Sequence, residues 1–287
     1  PARRLAPAPP LAARPRELAV TRVEALIRDP YAIYAQKVLG LHALGSAGQE
    51  PDAKLRGNVL HRIMEHWADW VKQTPDGDMR AALERISAQC HAEMVPWPSA
   101  RILWQARLMQ IADTLCEQER ARQADATPIR YEIRGAWTFK DIDFTLTAKA
   151  DRFDLTDDQR YRIYDYKSGE PPSEKQIAAF AQQLPLTKLI VEMGGFADIG
   201  TRHVAQVAYL GLNKATKIVA LGDGSPELAE VAARFPALIM AYDDPAKGYS
   251  PRSRPAFMKD YETDYDLVSR YGEWGDEVEA ETVEVGR

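Results

Sequence analysis

Two adjacent predicted strands decide the fold, and they lie in the stretch FTLTAKADRFDLTDDQRYRIYDYKSG at residues 144–169. A polar turn separates them, as in a hairpin. Because successive side chains of a strand point to opposite faces of its sheet, Asp165 and Lys167 share one face and Tyr166 points into the opposite layer. If the two strands pair across the turn, Asp151 of the first comes near Asp165. The stretch therefore predicts two carboxylates beside a lysine.

Two converging carboxylates beside an ammonium group indicate a site for a hard divalent cation. Mg²⁺ prefers oxygen ligands, and two carboxylates, a backbone carbonyl such as that of Tyr166, and water supply them. An ion held in this way orients a phosphodiester and lowers the pKa of its water. The alternative is a surface ion pair between Asp165 and Lys167, which is the commoner meaning of an isolated Asp-x-Lys and contributes about 0 to 1 kcal/mol.

A helix outside these strands supplies further candidates. The helical spacing of apolar residues predicts it over residues 52–73. His61 and Glu65 are four positions apart and lie on one face of it. Gly57 removes a side chain one turn before His61, where another segment or a nucleic acid approaches. The alternative is an ordinary His-Glu helix pair.

Two more polar residues are open to two interpretations. Glu132, on the first predicted strand, is either an accessory acid or an exposed strand residue. Gln183 lies on the helix that follows the lysine strand, where a glutamine more often faces solvent. The residue pattern alone assigns neither to the site.

The predicted elements follow the order helices, strands, helix, strands, helix, which is that of a mixed α/β chain. The helix over residues 173–193 is expected to kink at Pro185. The chain has no internal repeat and no GxxxxGK[ST] phosphate-binding loop, so it is not itself an NTP-driven motor. Strands are predicted over residues 129–139, 144–153, 161–166, 204–212 and 217–221.

The 287-residue chain has an ordinary globular composition, with 45% hydrophobic, 9% aromatic and 28% charged residues, which excludes disordered and fibrous classes. No stretch approaches the about 18 consecutive apolar residues of a membrane span, so we expect a cytoplasmic protein with no membrane partner. The net charge of −5 neither supports nor excludes DNA, because the acidity lies mainly in residues 260–287. Cys90 and Cys116 are the only cysteines and lie 26 positions apart, so we expect no iron-sulfur cluster.

We expect three segments along the chain. Residues 1–17 are rich in Pro, Ala and Arg, which is typical of an extended linker. Residues 18–270 form the folded domain, and residues 271–287 form an acidic, poorly ordered tail. Because the chain begins with a proline and a linker-like segment, we interpret it as a piece of a longer protein.

Four of these features together resemble the PD-(D/E)XK nuclease superfamily, and within it the RecB-like nuclease domains. They are the helix with Gly57, His61 and Glu65, the strand ADRFD at 150–154, the strand end DYKSG at 165–169, and QLPL at 183–186. The segments DPY at 29–31, YSPR at 249–252 and DYD at 264–266 are similar to the nuclease domains of the AddB family of helicase-nuclease subunits.

The resemblance implies a fold, a site and a metal. The fold is α/β with a restriction-endonuclease-like core, in which helices flank a central mixed β-sheet, and with an N-terminal helical insertion. The metal is Mg²⁺, for which Mn²⁺ substitutes, and the substrate is DNA. The implied active-site residues are His61, Asp151, Asp165 and Lys167, the metal ligands are His61, Asp151, Asp165 and the Tyr166 carbonyl group, and Gln183 lies beside the site.

The leading hypothesis is the nuclease domain of a helicase-nuclease that acts in double-strand break end resection and recombinational repair. It implies an AddA-like partner subunit and a helicase-like region N-terminal to this segment. The alternatives are a non-cleaving DNA-binding or scaffold module with a nuclease fold, and a stand-alone RecB-family exonuclease. This chain departs from many AddB nuclease domains in lacking their four cluster-binding cysteines, and Thr187 stands where a tyrosine usually follows the motif glutamine.

Overall fold

The computed structural model describes residues 2–44, 50–254, 258 and 263–286. The strands are β1 (Arg4–Ala8), β2 (Glu17–Ala19), β3 (Ala126–Phe139), β4 (Phe144–Thr156), β5 (Tyr161–Lys167), β6 (Val204–Gly211), β7 (Ile218–Gly222) and β8 (Ala280–Glu284). The α-helices are α1 (Val20–Arg28), α2 (Pro30–Ile33), α3 (Ala53–Gln73), α4 (Met79–Met94), α5 (Pro98–Met109), α6 (Ala112–Gln123), α7 (Glu174–Ala179), α8 (Gln183–Glu192) and α9 (Pro226–Met240).

A mixed six-stranded sheet lies at the centre, in the order β2-β4-β5-β6-β7, with β3 also paired along β4. β4 runs antiparallel to both β3 and β5, whereas β5 and β6 are parallel and joined through α7 and α8. This arrangement confirms the predicted mixed α/β fold. Among the described residues, no helix has both the length and the apolar character that a membrane span requires.

The sheet separates two hydrophobic cores, and successive side chains of β5 point alternately into one and the other. Ile163 belongs to the core formed with α1, α8 and α9. Tyr164 and Tyr166 belong to the core formed with helices α3 to α6, which precede β3 and make up the N-terminal helical insertion. The alternation leaves Asp165 on the Ile163 side of the sheet, where α8 begins.

The predicted kinked helix over residues 173–193 is instead two helices. The turn Phe180–Gln182 separates α7 from α8, and Phe180 leaves the helical conformation with φ of −159°. Pro185 lies in the first turn of α8, where a missing backbone N–H costs no intrahelical hydrogen bond. Pro185 therefore does not kink a helix.

The prediction that residues 1–17 are an unpacked linker and that the acidic tail is poorly ordered is wrong for the described residues. β1 pairs in parallel with β8, so the two ends of the chain form a two-stranded ribbon. Buried Arg4 anchors this ribbon by donating four hydrogen bonds, at 2.7–3.1 Å, to the carbonyl oxygens of Pro251, Arg252 and Val278. These contacts join segments far apart in the sequence, and composition gives no sign of them.

Arg4 provides a stability test of this anchor. We expect Arg4→Ala to lower the free energy of unfolding by about 2 to 3 kcal/mol, because it leaves buried carbonyl groups without donors. Arg3→Ala is the matched control. Among the described residues, exposed Arg3 pairs only with exposed Glu281, so we expect this variant to cost under about 0.5 kcal/mol. Urea unfolding of both variants measures the difference, and equal small losses would show that the ribbon does not stabilise the domain.

Candidate active site

Asp151 and the end of β5 meet through a backbone hydrogen bond. The N–H of Tyr166 donates to Oδ2 of Asp151 at 2.8 Å, and both groups are buried. The pairing of Arg152 with Tyr164 sets this register and brings Asp151 to the strand end that carries Asp165. The structure therefore brings together the two carboxylates that the strand pattern predicts to converge.

Asp165, Lys167 and Gln183 form a closed set of polar contacts. Lys167 Nζ lies 2.8 Å from Oδ2 of Asp165 and donates to Oε1 of Gln183 at 2.9 Å. Gln183 in turn donates from Nε2 to Oδ1 of Asp165 at 2.5 Å. Because α8 begins at Gln183, the amide is directed at the strand end and does not face solvent. Gln183 thus lies beside Asp165 and Lys167, the position that the resemblance implies.

Burial governs the charge of Asp165. The side chain is only 5% exposed, and burial raises its pKa to about 6, helped by the charge of Asp151 and opposed by Lys167. Lys167, whose side chain is 33% exposed, faces the opening of the site. A buried carboxylate beside an accessible ammonium group is suited to binding an anion next to a cation.

His61 reaches the site from α3. Its Nε2 lies 2.8 Å from the carbonyl oxygen of Tyr166, which only accepts, so Nε2 carries a proton. Its Nδ1 lies 3.5 Å from Asp151 and 3.7 Å from Glu132. Burial acts to lower the pKa of His61, but the hydrogen bonds and charges of these carboxylates outweigh it and raise the pKa to about 10. α3 lies close to the end of β5 at Gly57, where an added Cβ would lie 3.8 Å from Ser168 Oγ, an ordinary van der Waals distance that does not require glycine.

Glu132 joins the site through an unusual backbone conformation. It lies opposite Asp151, between the pairs Tyr131–Arg152 and Ile133–Ala150, and has a positive φ of 53° in the middle of β3. Left-handed backbone at a non-glycine residue costs about 1 kcal/mol or more and is often found at functional sites. Its side chain is 20% exposed and pairs with Lys149. Burial acts to raise the pKa of Glu132, but the hydrogen bonds and charges of His61 and Lys149 outweigh it and lower the pKa. Glu132 is thus not a simple exposed strand residue.

Glu65 does not reach this group. Its carboxylate lies 3.4 Å from Arg62 Nη1 on the same helix. Among the described residues it has no hydrogen bond or ion pair with Asp151, Asp165 or Lys167. An accessory or DNA-contacting role of Glu65 therefore stays a prediction.

A buried charge cluster behind the site has no counterpart in the sequence predictions. Arg152 is fully buried and donates to Glu119 at 2.7 and 3.0 Å and to Asp154 at 2.6 and 2.8 Å. Burial alone would raise the pKa of Glu119, but Arg152 and Arg122 lower it to about 2. Because Arg152 follows Asp151 directly, this cluster fixes the β4 backbone at the site. The Arg-x-Asp spacing of residues 152 and 154 was its only sequence signal.

The donor set fits a hard divalent cation. His61, Glu132 and Asp151 each offer one ligand atom, and these atoms lie within 4.8 Å of one another. Carboxylate oxygens suit Mg²⁺ and Mn²⁺, whereas an imidazole nitrogen favours a transition metal ion over Mg²⁺. Asp165 as a ligand stays a prediction, because its oxygens contact Lys167 and Gln183 here.

Comparison with known proteins agrees with this geometry. The sequence model of the PD-(D/E)XK nuclease superfamily matches residues 17–271, so the chain belongs to that superfamily, whose nucleases generally use divalent metal ions. The motif Asp165-Tyr166-Lys167, with Asp151 as the preceding acid, resembles the residues for which the superfamily is named.

The relatives have no assigned activity. An uncharacterized protein of Rickettsia bellii is 28% identical over 186 residues, which are 63% of this chain and 22% of that protein. An uncharacterized protein of Rickettsia typhi is 29% identical over 189 residues, which are 63% of this chain and 22% of that protein. The matched segment thus spans about a fifth of the length of these relatives. A crystal structure of a candidate exonuclease from Eubacterium rectale aligns with a TM-score of 0.43 and is 10% identical in sequence. The alignment covers 90% of this chain and 94% of the exonuclease chain.

Proposed function

We propose that the chain is a Mg²⁺-dependent DNA nuclease. The observation that supports it most is the convergence of Asp151, Asp165, Lys167 and His61 at one end of β5, in a chain of the PD-(D/E)XK superfamily. A binding module needs no buried carboxylates at this position, since carboxylates repel a phosphodiester unless a cation lies between them.

The residues have separate tasks in this proposal. A bound Mg²⁺ or Mn²⁺ polarises the phosphodiester and lowers the pKa of a water molecule. Asp151, held by the Tyr166 N–H, would hold the ion together with His61 and Glu132. Lys167 positions the attacking water and offsets the developing charge of the phosphate during in-line displacement. Gln183 holds Lys167 and Asp165 at a fixed separation.

A substrate panel tests the proposal. The purified chain is incubated with end-labelled linear and covalently closed circular DNA, single- and double-stranded, in Mg²⁺, Mn²⁺ or EDTA. We expect cleavage with either metal and none in EDTA. Binding without cleavage under every condition would instead identify a non-cleaving DNA-binding module. Cleavage of linear but not circular substrates would identify an exonuclease.

Lys167 is expected to act on the transition state and to contribute little to affinity. We predict that Lys167→Ala lowers the single-turnover cleavage rate by about 100-fold or more, within the range for loss of one preorganised electrostatic group. DNA affinity in Ca²⁺ should fall by less than about tenfold, because many phosphate contacts share it. Exposed Lys175→Ala is the control. A Lys167 variant with much weaker binding but a normal rate at saturation would make this lysine a phosphate anchor.

We further propose that this nuclease domain belongs to a helicase-nuclease of the AddB type, with an AddA-like partner subunit and a helicase-like region N-terminal to it. The motifs shared with that family support the proposal, and the relatives extend far beyond the matched segment. End resection at double-strand breaks and recombinational repair would follow as its role. Sequencing the complete gene tests the proposal, since an upstream region without helicase-like motifs would contradict it.

A further inference from the structure

Arg56 is a cation beside the site to which the proposed function gives no task. It lies in the first turn of α3, five positions before His61, and its side chain is half-buried. Within the described part of the chain, its guanidinium group has no hydrogen bond or ion pair. Partial burial of a charged group without a counter-ion is unfavourable, so an anionic ligand is its natural partner.

The first turn of α3 lies against the catalytic strand end. A Cβ added at Gly57 would lie 3.8 Å from Oγ of Ser168, the residue that follows Lys167. Arg56 directly precedes Gly57, so its backbone lies at the same end of α3. A DNA strand whose phosphodiester reaches Lys167 passes this helix end with its adjacent phosphates.

Arg107 on α5 is a second arginine whose charge acts on Arg56. Burial lowers the pKa of Arg56, and the positive charge of Arg107 lowers it further. Arg107 is exposed and, among the residues that the structure describes, takes part in no ion pair. Arg62, by contrast, is exposed and lies beside Glu65 on the same helix. A half-buried guanidinium group that has no carboxylate partner among the described residues, and that a second positive charge repels, favours the approach of a phosphate oxyanion.

We propose that Arg56 binds a non-scissile phosphate of the DNA strand, next to the phosphodiester held at Asp151 and Lys167, and that the charge of Arg107 adds to the attraction. This inference rests on the proposed function and assigns a part of the substrate to residues of the helical insertion. The guanidinium fork binds phosphate oxygens in a bidentate manner. The two cations also offset the repulsion between DNA and the carboxylates of the site.

The salt dependence of DNA binding tests the proposal. Affinity for a labelled single-stranded oligonucleotide is measured in Ca²⁺ at several salt concentrations. We expect Arg56→Gln to lower affinity at low salt by about tenfold and to reduce the slope of log K against log salt by about 0.7, the value for one lost phosphate contact on a single strand. Arg56→Lys should restore most of the slope. Arg62→Gln is the matched control and should bind as the wild type does.

The outcomes separate this inference from the proposed function. If the wild type cleaves DNA and a folded Arg56→Gln chain keeps the wild-type affinity and slope, this inference alone is overturned. A wild type that neither binds nor cleaves DNA overturns the proposed function and this inference with it. If Arg56→Gln does not fold, the same measurement is made on Arg107→Gln, whose side chain is exposed. This variant should also reduce the slope of log K against log salt.

Discussion

Replacing Asp165 with asparagine is expected to lower the rate of DNA cleavage by at least about a thousandfold, because the variant loses a buried charge that orders both Lys167 and the metal site. Gln183 Nε2 donates to one of its oxygens and Lys167 Nζ lies 2.8 Å from the other. The neutral amide keeps the shape of the side chain but removes the attraction for a cation.

Folding should survive this change. Burial raises the pKa of Asp165, so the ionised carboxylate is held at a cost that asparagine does not have. We therefore expect a melting temperature equal to or above that of the wild type. Single-turnover cleavage of end-labelled DNA in Mg²⁺ measures the rate, and exposed Asp198→Asn serves as the control. Asp165→Asn cleavage at the wild-type rate would remove Asp165 from the site.

The largest effect on stability is expected at Arg152. Replacing it with methionine leaves Glu119 and Asp154 buried and without their main partner, and breaking a buried ion pair in this way costs about 3 to 5 kcal/mol. Arg160→Met is the matched control, because Arg160 pairs with Asp158 at the same two-residue spacing but on the surface. It should cost less than about 1 kcal/mol. Urea unfolding of both variants gives the comparison.

A compensating variant keeps this prediction testable if Arg152→Met does not fold. Replacing Glu119 and Asp154 with leucine in the same chain removes the unpaired charges, and apolar groups of similar volume often recover the stability of a buried ion pair. We expect this triple variant to be more stable than Arg152→Met. If Arg152→Met lowers the free energy of unfolding by less than about 1 kcal/mol, water reaches the cluster of Arg152, Glu119 and Asp154.

The strand part of the site could be predicted because its signal is local. Alternation along β5 is enough to place Asp165 and Lys167 on one face, and the short turn after β4 brings Asp151 to the same strand end. His61 could be proposed from the helical period of α3. Its contact with Tyr166 required the insertion to fold against the sheet, which no local pattern specifies.

The remaining parts depend on contacts between distant segments. Glu132 enters the site from β3 at a point opposite Asp151 where the backbone has a positive φ, and a strand pattern does not report such a conformation. Gln183 is directed inward because the chain turns at Phe180–Gln182. β1 is a strand because β8, more than 270 residues later, pairs with it, although its own sequence favours an extended linker. These features follow from tertiary structure and override local preference.

The most direct test of the account is the cleavage rate measured as a function of Mn²⁺ occupancy, with electron paramagnetic resonance reporting free Mn²⁺ in the same samples. The account predicts that the wild-type chain binds Mn²⁺ and that its cleavage rate rises in proportion to the bound fraction. Asp151→Asn, purified in parallel, should lose both properties together. Wild-type cleavage that persists in EDTA, or undiminished cleavage by Asp151→Asn with no Mn²⁺ bound, would contradict the account.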